Sequence, residues 1–130
     1  MYNFETMKKQ SFADILSGIT EADSARVFKK VPAWADAPGI EFPSRLSTEQ
    51  CSSQETALYK AALAGRIIAE SGKDGGIIDL TGGLGVDCWA FASVCDKVLH
   101  NEKDGPLSAA AERNFARLGV RNIRCTRHVV

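Results

Sequence analysis

The run Ile77-Ile78-Asp79-Leu80-Thr81-Gly82-Gly83-Leu84-Gly85-Val86-Asp87 constrains the fold of this chain more than any other stretch. Ile77 to Leu80 suit a short buried parallel strand. Gly82, Gly83 and Gly85 then let the backbone bend sharply where a side chain would block a ligand. A helix is expected at once, because Val86, Trp89, Ala90, Ser93 and Val94 recur at three- and four-residue spacing and form one apolar stripe. Its first turn presents free amides to the bend. Lys97-Val98-Leu99-His100-Asn101-Glu102 sets a second acid at the end of a second strand.

The order strand, glycine turn, helix, strand, acid suits a nucleotide-binding α/β unit, in which an acid about 20 residues beyond the turn accepts hydrogen bonds from both ribose hydroxyls. Glu102 stands at that distance. A carboxylate suits a diol because it offers acceptor oxygens and no competing donor. The alternative is a tight strand-to-helix connection that holds no ligand. The dinucleotide fingerprint Gly-x-Gly-x-x-Gly is incomplete: counted from Gly83, its third glycine position falls on Cys88, which disfavours NAD or FAD. No Gly-Lys-Ser or Gly-Lys-Thr occurs, so the P-loop reading fails.

With Asp79, Gly83 and Gly85 so spaced, the chain resembles the class I methyltransferases that use S-adenosylmethionine, whose first motif is an acid followed by a Gly-x-Gly turn. Thr81 stands where many members carry glycine. The resemblance implies that Asp79 and the turn of Thr81, Gly82, Gly83 and Gly85 lie near the methionine part of the cofactor, and that Glu102 holds its ribose. Upstream, Leu46-Ser47-Thr48-Glu49-Gln50-Cys51-Ser52-Ser53-Gln54-Glu55-Thr56-Ala57-Leu58-Tyr59-Lys60-Ala61 is similar to a bacterial family of methyltransferases that carry a THUMP-like region further along the chain. More distantly it resembles the trimethylguanosine synthases. On this resemblance Gln50, Ser52, Thr56 and Lys60 line the pocket, with an ordinary capped surface helix as the alternative. The same resemblance implies RNA as substrate, ahead of protein, and direct attack of a nitrogen or carbon on the activated methyl group.

The residues themselves support a leading helix. Ser52-x-x-Glu55 has capping-box spacing, and Leu58, Ala61, Ala62, Gly65 and Ile68 form an apolar face. Gly72 and Lys73-Asp74-Gly75-Gly76 end it and turn the chain into the first strand. Beyond Glu102, Pro106 is suited to open another helix, whose buried face is read as Leu107, Ala110, Ala111, Asn114, Phe115 and Leu118, and Gly119 closes it. Val120 and Asn122 to Cys125 form a third strand candidate.

The fold class is therefore α/β: the N-terminal half of a doubly wound, Rossmann-like methyltransferase sheet, about three parallel strands, behind a small helical region. Residues 1–50 read as that helical region and 51–130 as a partial S-adenosylmethionine-binding domain truncated after its third strand. In the lead-in, Ser11-x-x-Asp14 before Ile15 and Leu16, and Thr20-x-x-Asp23 before Ala25, Val27 and Phe28, predict two short capped helices. Pro32, Pro38 and Pro43 enforce an irregular crossing in which Trp34 either plugs the core or stacks on a base.

Sixteen basic and sixteen acidic residues cancel, so no strong field announces nucleic-acid binding. Arg113, Arg117, Arg121, Arg124 and Arg127 do cluster late in the chain, as a solvated face or an RNA contact. Four cysteines without a Cys-x-x-Cys pair, and no signal-peptide pattern, point to reduced cytoplasmic thiols and no zinc site, and no run approaches the ~20 apolar residues of a membrane span. His100 is expected to be exposed or at the edge of the core.

The reacting-base motif of the resembled family follows a fourth strand and is not found here, so the chain reads as a cofactor-binding N-terminal portion, inactive by itself. A non-catalytic binding or scaffolding module with the same fold is the alternative, and a nucleotide-dependent oxidoreductase a third reading weakened by Cys88. The unpaired edge of Ile77 to Leu80 predicts a homo-oligomer.

Overall fold

The computed structural model describes residues 21–130. The expected helix near Ser11 with Ile15 and Leu16, and the cap residue Thr20, lie outside the described residues. Among these residues three helices precede the sheet: α1 (Glu21–Lys30), α2 (Arg45–Gln50) and α3 (Gln54–Ser71), with a 3-10 turn at Pro32–Trp34. Then β1 (Ile77–Asp79), α4 (Val86–Phe91), β2 (Val98–Asn101), α5 (Gly105–Arg117) and β3 (Ile123–Thr126) alternate. The three strands form one parallel sheet in the order β1-β2-β3, with Ile78 beside Leu99 and Leu99 beside Arg124. This is a Rossmann-like α/β arrangement, with each crossover supplied by a helix.

Parallel pairing puts Asp79, His100 and Cys125 in one row across the sheet. The face bearing that row and Val98 receives both crossover helices, through Cys88 of α4 and Ala111 and Phe115 of α5. Ile78 and Leu80 are well exposed, and Leu99 shares its row with Ile78.

A second cluster joins the described lead-in to the sheet unit. Val27 and Val31 pack with Trp34, Phe42, Ala57, Ala61, Leu84, Val86 and Ala90. Trp34 is completely buried and meets Trp89 edge to face at 6.3 Å, so it plugs the core and has no face left for a base. The crossing segment is tied to α5 by Asn114, whose Oδ1 accepts the Glu41 amide at 2.8 Å while its Nδ2 donates to the Glu41 carbonyl at 2.9 Å. Arg113 donates twice to the Glu41 carboxylate, at 2.6 and 2.9 Å, and Arg117 once at 2.6 Å. Two arginines of the late basic cluster are thus held by an internal carboxylate. Among the described residues no ion pair holds Arg121, Arg124 or Arg127.

Local details correct several expectations. The cap of α3 is Ser53, whose Oγ accepts the Thr56 amide at 3.2 Å, and not Ser52. The helix therefore turns a narrow stripe of Ala57, Ala61 and Gly65 toward α4 and its following turn, where a Cβ on Gly65 would come within 3.1 Å of Val94. Leu58 and Ala62, placed on the buried face by periodicity, are exposed. Helix α4 ends at Phe91, so Ser93 and Val94 belong to the turns after it. Helix α2, absent from the sequence reading, is capped by Ser44, whose Oγ accepts the Ser47 amide at 3.1 Å. No helix among the described residues is long and apolar enough to cross a membrane.

Candidate functional site

A cavity of about 280 Å³ opens at the C-terminal ends of β1 and β2, where open parallel sheets take their ligands. Asp79 ends β1, Glu102 follows β2, and both line this one cavity. Thr81, Gly82, Gly83 and Gly85 form its floor between them. Gln50 and Ser52 reach it from the segment ahead of α3. Lys60 and Thr56 do not line it. Lys60 instead donates to Asp87 at 3.0 Å and to Ser52 at 3.1 Å, and the Thr56 hydroxyl accepts from that of Ser53 at 2.9 Å.

The turn is held by the protein's own acceptors. Asp79 Oδ1 accepts the Thr81 amide at 3.1 Å, the Asn101 carbonyl accepts the Gly82 amide at 2.8 Å, and Glu102 Oε1 accepts the Gly83 amide at 3.1 Å. The second Glu102 oxygen accepts the Asp104 amide at 2.9 Å. Each carboxylate oxygen retains further acceptor capacity toward the cavity. Three amides that a phosphate-cradling turn would aim at its ligand are thus already occupied.

The glycines have a structural reason within the protein itself. Gly83 and Gly85 adopt φ of +57° and +101°, a region that other residues enter at a cost. At Gly82 an added Cβ would overlap the ring of His100, and at Gly85 it would overlap the ring of Phe115. The turn rests on two aromatic rings, themselves in edge contact at 5.5 Å. His100, expected at the surface or the core edge, is fully buried under this turn, and its Nε2 lies 2.9 Å from the Gly83 carbonyl.

Asp87 was not singled out by sequence reasoning, yet it lines the cavity and one of its oxygens is buried without a partner. The signal lay in its place just inside the helix that follows the glycine turn. With Asp79 and Glu102 it makes three carboxylates facing one space. Among the described residues no lysine or arginine lines that space, and Lys60 is paired with Asp87 at 3.0 Å. Burial pushes the Cys88 thiol far above its ordinary range, assisted by the charges of Asp79 and Asp87, and burial likewise raises Cys51. Neither supplies a thiolate nucleophile at neutral pH. Among the described residues no cluster of three or more His, Cys, Asp or Glu is placed to hold a metal ion.

Comparisons with known proteins follow the same lines. The chain superposes on the crystal structure of a "putative methyltransferase" from Porphyromonas gingivalis W83 with a TM-score of 0.65 and 33% identity, over 79% of this chain. It spans 25% of that protein's length. No protein-family model and no curated protein matches the chain. Three parallel strands in an open sheet, the helices that connect them and this neighbour together give the chain a methyltransferase-like fold.

Proposed function

We propose that the chain is the cofactor-binding portion of an S-adenosylmethionine-dependent methyltransferase. One observation carries the reading: Asp79, Asp87 and Glu102 face a single cavity across the glycine turn, with no lysine or arginine among the described residues lining it. An anionic cavity attracts a cation and repels phosphate. S-adenosylmethionine carries a sulfonium and an ammonium but no phosphate, whereas NAD and FAD carry a pyrophosphate. The occupied turn amides argue in the same direction, because they leave few donors for phosphate oxygens.

In this assignment Glu102 accepts the ribose hydroxyls with the acceptor capacity that Gly83 and Asp104 leave free. Asp79 and Asp87 supply negative charge toward the amino-acid end. Lys60 acts through Asp87 and Ser52, holding both at the rim. When bound, the cofactor supplies an electrophilic methyl group. The protein contributes alignment and exclusion of water. RNA is the proposed substrate class. Its support is the resemblance in residues 46–61 and the absence, among the described residues, of an ion pair at Arg121, Arg124 and Arg127.

Titration calorimetry with S-adenosylmethionine, S-adenosylhomocysteine and NAD tests the reading. Binding of the first two and not of NAD is expected. Preferential binding of NAD, or of none of the three, would overturn it.

A further inference from the structure

The cofactor reading accounts for Asp79 and Glu102 but leaves His100 unused. We infer that His100 is a positioning residue for that site, acting through the backbone of Gly83. The Gly83 carbonyl can only accept, so the 2.9 Å contact requires the hydrogen on Nε2 of His100. On its other side the same residue donates its amide to Glu102 Oε1 at 3.1 Å. Gly83 is therefore gripped at both ends by β2 and the residue just beyond it: the carbonyl by His100, the amide by Glu102.

Glycine at φ +57° has little intrinsic preference to stay there, so the grip sets its orientation. Release of the carbonyl would free the Gly83–Leu84 peptide to rotate, and because it joins the Gly82–Gly83 peptide through the Gly83 dihedrals, the amide that orients the Glu102 carboxylate would lose its fixed direction as well. His100 is fully buried and cannot touch a ligand, so its influence on the cavity passes through this turn.

The chemistry of the ring favours this role over simple filling. Nδ1 is buried and has no partner, and the ring otherwise meets Phe115 edge to face. A buried acceptor without a donor is unfavourable, and an apolar side chain would avoid that cost. What an apolar side chain lacks is the Nε2–H donor.

The inference rests on the proposed cofactor, and its test separates the two. His100→Gln can place an amide donor near the position of Nε2, whereas His100→Met has similar length and no donor. In the full chain, His100→Met is expected to weaken binding of S-adenosylhomocysteine by about tenfold and His100→Gln by less than about threefold, the loss expected for one buried hydrogen bond. A role in packing alone predicts equal loss in both variants, in step with their melting temperatures, and no rescue by Gln. Two readouts need no cofactor. Nitrogen NMR of the wild-type imidazole should show the Nε2–H tautomer, and the Gly83 amide should exchange faster in His100→Met than in wild type or His100→Gln. The Nδ1–H tautomer, or Gly83 exchange and affinity unchanged in His100→Met, would overturn the inference. If the wild type binds neither adenosyl compound, the cofactor reading fails and positioning fails with it, while tautomer and exchange still report whether the grip exists. If His100→Met does not fold, the tautomer and the affinity of His100→Gln decide.

Discussion

Neighbouring glycines in the turn resist substitution for different reasons. A methyl group on Gly82 would overlap a buried histidine ring that cannot move aside, whereas one on Gly83 has no atom nearer than the Thr81 carbonyl at 4.0 Å and meets only the unfavourable φ. Gly82→Ala is therefore expected to cost about 1–3 kcal/mol, as overpacked cores do, and Gly83→Ala about 1–2 kcal/mol, the cost of a left-handed backbone. Thermal unfolding of the two variants checks the order: Gly82→Ala should melt lower. Glu102 is the other informative residue, because it holds two loop amides and, as proposed, a ribose. Glu102→Ala should weaken S-adenosylmethionine binding by about ten- to a hundredfold, the range for hydrogen bonds to a charged acceptor. Calorimetry on a variant that still folds is the measurement, and unchanged affinity would remove Glu102 from the site. The acids and glycines were legible because their order along the chain mirrors their order in space. His100 and Phe115 were not, since a ring lying beneath a turn leaves no local pattern.

Among the elements, those with strong periodicity or clear punctuation were read well. Gly119 closes α5, Gly72 ends α3, and β1 and β2 stop at or just before their acids, because glycine and acidic residues mark chain direction locally. The rotation of α3 differs from the one its apolar periodicity predicts. Periodicity weights the larger apolar residues, but close approach of two helices selects Ala57, Ala61 and Gly65, and a one-residue shift of the cap goes with it. Helix α2 is six residues long, too short for a pattern to emerge. The staple between the crossing segment and α5 was invisible, since Glu41 and its arginines lie far apart in sequence. It has a pH signature. The Arg113 guanidinium, hydrogen-bonded to Glu41, outweighs partial burial and with Arg117 holds the carboxyl down at about 2, against an ordinary 4.5. A depressed folded-state pKa stabilises above the unfolded value and is lost as pH falls through the folded one. The melting-temperature advantage of wild type over Glu41→Gln should thus be full above pH 4.5 and shrink as pH falls toward 2. An advantage independent of pH across that window would show that the ion pair does not act through this carboxylate. Solvent access to all three side chains keeps the effect modest.

At the scale of the molecule, the sheet is covered on one face and, among the described residues, ends in two unpaired edges, β1 and β3, of which β1 has apolar side chains exposed beside it. Among the described residues strand β1 pairs with β2 alone, leaving its outer backbone groups open, and beside that edge Ile78 and Leu80 are 64% and 56% exposed. A hollow of about 520 Å³ runs across the sheet from Ile78 past Leu99 to Ile123, rimmed by Lys97, Arg121 and Arg124. Exposed strand edges beside apolar side chains invite another strand. For this chain in isolation a second copy is the expected occupant, and magnitudes decide how strongly it binds. Burying two large aliphatic side chains from each copy, already part-covered, yields about 4–7 kcal/mol. Loss of overall motion on association opposes this by about 4 kcal/mol or more. A strand of three residues adds few edge hydrogen bonds. Association should therefore be weak and visible only at high protein concentration, as a weight-average mass that rises with concentration in sedimentation equilibrium. Ile78→Lys should keep the chain monomeric without lowering its melting temperature, because Ile78 is largely solvent-facing. A constant monomer mass for wild type throughout, or an unaltered mass profile in Ile78→Lys, would exclude β1 as the contact.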